Sequence, residues 1–147
     1  MVKYDKIGTN YDETRTADTY LTNRLFHHLN AQEGKKYLDI GCGTGNYTIA
    51  LNQKGIDLTG IDPSEKMLAI AKNKSEKVNW LKGKAENIPI TSESIDGIMG
   101  SLTIHHWTSL EMGFKELNRV LKKKGQVTIF TSTPKQMEGY WLSLIHI

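Results

Sequence analysis

Apolar positions along this chain follow two spacings that take turns. Short runs rich in Ile, Val and Leu fall at residues 37–40, 56–61, 78–81, 95–101 and 126–131. Most are bounded by Gly, Asp or Ser, and they predict five β-strands. Between them the apolar residues recur at helical intervals. After Thr108, the residues Leu110, Phe114, Leu117 and Leu121 form one stripe, as a helix with a single buried face requires. Thr108 and Glu111 fit a capping box, and Gly125 sits where a glycine C-cap would close that helix. A second helix should start at Asp62-Pro63-Ser64, with Met67, Leu68 and Ala71 facing inward. Another follows Gly45 and ends near Gly55, and an additional N-terminal helix covers 13–30, with Ala17, Leu21, Leu25 and His28 on one side.

Strands alternating with helices predict an α/β fold: a mainly parallel sheet with helices on both faces, built from right-handed crossovers. In such sheets ligands bind beyond the carboxyl ends of the strands, where strand order reverses. Length and composition agree with one globular domain: 147 residues, 38% hydrophobic and 24% charged. Cys42 is the single cysteine, which excludes a disulfide framework and any multi-cysteine zinc site. No apolar run approaches the ~20 residues of a membrane span, and the start at Met1 has no secretory apolar stretch. A cytoplasmic protein with no membrane partner is the expectation. The net charge of +3 is too small to argue for nucleic acid. Lys122, Lys123 and Lys124 read instead as cations at a helix C-terminus.

The densest chemistry lies in Leu38-Asp39-Ile40-Gly41-Cys42-Gly43-Thr44-Gly45. Three glycines at alternate positions follow the first strand and precede a helix, so the backbone can approach a ligand closely. A dinucleotide fingerprint would place its third glycine one residue later, and the phosphate-loop pattern is absent. A carboxylate at Asp39 would repel a pyrophosphate and welcome a cation. The second acid, Asp62, stands 21 residues after Gly41, close to the interval of ~20 at which a carboxylate accepts ribose hydroxyls.

These residues resemble a class I S-adenosylmethionine-dependent methyltransferase of the broad type 11 family. Residues 39–45 resemble its first motif, 60–68 its second and 83–89 its third. Residues 94–107 resemble its fourth strand and loop, and 116–125 the helix and turn before its fifth strand. The resemblance implies a Rossmann-like sheet of order 3-2-1-4-5 and S-adenosyl-L-methionine as cofactor. It divides the chain into an N-terminal helical lid, 1–34, and a cofactor-binding domain, 35–147, lacking the family's final strands. By the same resemblance Gly41, Cys42, Gly43 and Gly45 hold the methionine part, with Asp39 near its ammonium. Asp62 takes the ribose, and Pro63 and Met67 flank the adenine. The Ala85 amide faces an adenine ring nitrogen with Glu86 beside it, and Ser101 lines the methionine side. Tyr11 and Arg15 resemble a segment that covers the cofactor. Many relatives carry Asp at the place of Lys84; lysine cannot accept a hydrogen bond, so Glu86 or a backbone carbonyl must receive the adenine amino group.

The implied reaction is methyl transfer to a small-molecule acceptor by in-line displacement, a matter largely of alignment. His105, His106 and Tyr11 are the candidates for moving a proton. His27 and His28 lack the spacing of a metal pair, and no metal is expected. Cys42, among glycines, reads as a small packing residue. Two rivals stand beside this reading: a nicotinamide-dependent oxidoreductase on a similar fold, and a catalytically incomplete fragment that binds the cofactor. The apolar tail 140–147 and the missing strands suggest truncation and leave the fifth strand with an uncovered edge open to association.

Overall fold

The computed structural model describes residues 16–137. In chain order they form α1 (Thr19–Leu29), β1 (Lys36–Ile40), α2 (Asn46–Asn52), β2 (Asp57–Asp62), α3 (Glu65–Lys74), β3 (Asn79–Lys82) and β4 (Ile95–Ser101). A 3₁₀ turn (Ile104–His106), α4 (Leu110–Val120), β5 (Leu121–Phe130) and the short α5 (Pro134–Met137) follow. The strands form one sheet of order β3-β2-β1-β4-β5, every pairing parallel. This is the Rossmann-like arrangement and strand order expected. Tyr11, Arg15, the start of the predicted N-terminal helix and the tail 140–147 lie outside the described residues. No described helix is long and apolar enough to cross a membrane.

β1 occupies the centre, and Tyr37 through Ile40 are buried on both faces, as a parallel strand covered by helices must be. Its side chains alternate. Leu38 and Ile40 join Ile61, Ile98 and, from α4, Leu117 and Val120. Tyr37 faces the other way, with Leu58, Met99, Leu51 of α2 and Leu25 and Leu29 of α1. Asp39 shares the parity of Tyr37, which aims its carboxyl at the α2 layer.

Three expectations need correcting. Ser109, not Thr108, caps α4, its hydroxyl accepting from the Met112 amide, and the helix stops at Val120, well before Gly125. Leu121 already pairs with Ile95, and Gln126 pairs with Gly97, so Lys122 through Gly125 stand opposite Asp96 alone. The lysine run therefore belongs to an irregular strand entry, where the Lys122 ammonium lies 3.1 Å from Asp96 and Lys124 takes φ +67°. On α1, Thr22, Leu25 and Leu29 form the buried line; His28 is exposed.

Candidate functional site

The β1–α2 loop folds back across the neighbouring strand: the amides of Gly41 and Cys42 both donate to the Ile61 carbonyl, at 2.8 and 2.9 Å. Its three glycines all have positive φ, but their surroundings differ. A Cβ on Gly41 would lie 1.9 Å from the Thr103 hydroxyl, and one on Gly45 2.3 Å from the Trp80 ring. A Cβ on Gly43 would meet nothing within 4 Å among the described residues. The outer glycines are required by packing, whereas the middle one opens onto space.

Asp62 ends β2 beside this loop and is 8% exposed. One carboxylate oxygen accepts from the Gly43 amide and the other from the Ser64 amide, each at 2.9 Å. Capping of α3 falls to Ser64, whose hydroxyl accepts from the Met67 amide. Asp62 is thus no helix cap; backbone amides from the β1–α2 loop and from the start of α3 hold its carboxylate at the end of β2. Pro63 beside it is half-buried, and Met67 is fully buried.

Asp39 is 3% exposed and accepts from the Thr48 hydroxyl at 2.6 Å. Burial lifts its pKa to about 7 against the pull of that hydrogen bond, with the Asp62 charge adding to the rise. The ends of β1 and β2 therefore bring together two carboxylates that repel each other. Burial and the same two acids push the Cys42 thiol well above its ordinary value. It is a protonated packing group; its sulfur sits 3.0 Å from where a Cβ on Gly60 would be.

Ala85 is buried in the β3–β4 connection. Glu86 beside it is half-buried and accepts from the backbone amides of Thr108 and Ser109. Burial opposes its ionisation, but the amides of Ser109, of Glu86 itself and of Thr108 outweigh that and hold it below the ordinary glutamate range. The same connection is clasped to α4 by Arg119, which donates to the carbonyls of Ile88 and Ile90, both at 2.9 Å, and pairs with Glu116.

Ser101 ends β4, half-buried and paired with Phe130. His105 and His106 lie beyond it in the exposed 3₁₀ turn, with ring centroids 3.9 Å apart. Sequence reasoning missed three buttresses of the site. Thr48 holds Asp39, Thr103 closes over Gly41, and Trp80 fills the space beneath Gly45 and Gly60. Only Trp80, the one aromatic among short strand residues at 78–81, offered a hint.

A family model described as Methyltransferase domain matches residues 38–129. The chain is 34% identical, over 83% of its length and 56% of the relative's, to the demethylmenaquinone methyltransferase of Staphylococcus aureus. It is 32% identical, over 89% of its length and 26% of the relative's, to the biotin biosynthesis bifunctional protein BioHC of Cellvibrio japonicus. A solved structure of a putative methyltransferase from an antibiotic biosynthesis pathway of Anabaena variabilis superposes with a TM-score of 0.80 at 33% identity, covering 89% of this chain and 52% of that one. The chain thus spans about a quarter to just under two thirds of the length of the curated relatives it matches. Strand order, the open glycine between two acids and a match that runs from β1 to β5 converge: this chain belongs to the class I S-adenosylmethionine-dependent methyltransferases.

Proposed function

We propose that this chain binds S-adenosyl-L-methionine across the carboxyl ends of β1, β2 and β4 and transfers its methyl group to a small-molecule acceptor. The observation that carries the reading is the pair of carboxylates, Asp39 and Asp62, flanking a loop whose middle glycine opens onto space. A dinucleotide would set a pyrophosphate against two acids, whereas a ligand with an ammonium and a sulfonium is drawn to them and favours the ionised form of Asp39. The residues present fit such a cofactor. Gly43 leaves room for backbone approach, and Asp62, held by two amides at the end of β2, is a carboxylate of the kind that accepts from a vicinal diol.

When bound, the cofactor supplies an electrophilic methyl group for in-line displacement. Residues 41–45 hold its amino-acid end, and Asp39, buried behind them, acts through its field and through Thr48. Asp62 takes the ribose hydroxyls, with Pro63 and Met67 at the adenine edge. The Ala85 amide faces the base, and Ser101 lines the methionine side. His105 and His106, on the exposed side of the β4 end, are the groups placed to take a proton from an acceptor hydroxyl or ammonium.

Calorimetric titration with S-adenosylhomocysteine tests the binding half. Asp62→Ala should abolish detectable binding and leave the helical circular dichroism intact; retained affinity would remove the ribose assignment. A radiolabelled methyl-transfer screen against small acceptors tests the other half, and labelling of none by a chain that binds the cofactor would limit the reading to binding.

A further inference from the structure

We propose that Glu86 is a positioning residue for the acceptor side of the site: its carboxylate, carried on the adenine-side loop, fixes the β4–α4 loop that presents His105 and His106. The inference rests on the adenosyl reading above. Glu86 immediately follows Ala85, whose amide is the proposed adenine contact. Yet its side chain reaches across to the amides of Thr108 and Ser109, where residues 102–109 end and α4 begins. Two amide donors on one carboxylate oxygen make a charge-assisted bridge, stronger than neutral hydrogen bonds.

The other end of the same loop is also tied to a cofactor loop. Thr103 is buried over Gly41, and its hydroxyl receives the Trp107 indole N–H at 3.4 Å. Trp107 in turn fills the space a side chain on Gly113 would need. Residues 102–109 therefore span from the methionine-side loop to the adenine-side loop, anchored at both. Leu102, just before the first anchor, holds φ +50° and is exposed, and between the anchors both histidines face solvent. A ligand that orders residues 41–45 and 85–86 together fixes both ends of the bridge, so cofactor occupancy sets where the histidines stand.

The test is amide hydrogen exchange over residues 102–109, with and without S-adenosylhomocysteine, in the full chain and its variants. In ligand-free Glu86→Ala the amides of Thr108 and Ser109 should exchange at least about tenfold faster, while Glu86→Gln, which keeps an acceptor oxygen, should stay within about threefold of wild type. Ligand-induced protection of residues 103–107 should be lost in Glu86→Ala and kept in Glu86→Gln. Thr108→Pro, which deletes a donor and leaves the carboxylate, should lose it too and decides the matter should Glu86→Ala not fold. The affinity ratio of S-adenosylhomocysteine to S-inosylhomocysteine, which bears oxygen in place of the adenine amino group, should be the same in all of them. Unchanged exchange at Thr108 and Ser109 overturns the proposal. So does a collapse of that ratio in Glu86→Ala, which would make Glu86 an adenine ligand. A wild type that binds neither compound ends the cofactor reading, and the ligand-free exchange then still decides the role of Glu86.

Discussion

Two loops leave the carboxyl ends of the neighbouring strands β1 and β4 and touch where Thr103 closes over Gly41. The first is short and held close to the sheet: Thr44 is fully buried, and the amides of Gly41, Cys42 and Gly43 are pinned to Ile61 and Asp62. The second is longer and carries Leu102, His105 and His106 at the surface, with its fixed points at its ends. A site that always receives the same ligand can be preformed in backbone, whereas one that meets a particular acceptor must offer side chains. On the proposed reading, the β1 side keeps one shape and the β4 side sets specificity.

The comparison breaks most readily at the point of contact. Gly41→Ala would drive a methyl into Thr103 at φ +73°, and should cost roughly 4 kcal/mol of unfolding free energy, read by denaturant titration, through strain and overpacking. A loss below about 1 kcal/mol would mean the two loops are not packed as described. Next comes Asp39. Below about pH 4 its carboxyl is protonated folded or unfolded. Between there and about pH 7 the unfolded chain releases a proton that the folded protein keeps, so stability falls as pH rises through that window. Asp39→Asn should lack this slope and be more stable than wild type at pH 8, by on the order of 2 kcal/mol; parallel pH profiles of melting would refute it. Gly43→Ala sharpens the contrast with Gly41. It should cost only about 1 kcal/mol of stability, for its left-handed φ, yet weaken S-adenosylhomocysteine binding about tenfold or more by filling the open space. His105→Ala and His106→Ala should change stability by less than about 0.5 kcal/mol, leaving any effect confined to methyl transfer.

The strands near the site were legible because each is a short, largely buried segment whose Ile, Leu and Met stand among small or bounding residues; residues 95–101 matched β4 to the residue. The β5 entry was not. Leu-Lys-Lys-Lys-Gly has the composition of a helix end with its cap, and only the pairing of Leu121 with Ile95 and of Lys122 with Asp96 overrides it. The acids and glycines of the site were visible as motifs, since their spacing is fixed by one strand and one turn. Their supports were not visible. Thr48, Thr103 and the reach of Glu86 to Thr108 depend on how separate elements meet, and Thr or Glu in a sequence carries no mark of such a partner. The role of Cys42 could be read from its neighbours: among glycines, a small side chain packs rather than reacts.

Trp80 has a consequence for how this protein can vary. Its indole, tethered to the Ser75 carbonyl at 2.9 Å, occupies the volume that side chains at both 45 and 60 would claim. The three positions share one allotment of space, so none can enlarge unless the tryptophan shrinks. A smaller aromatic at 80 would be the gateway substitution for alanine at 60, while position 45 would stay glycine on account of its φ of +80°. Any attempt to redesign the cofactor floor has to begin from that buried ring.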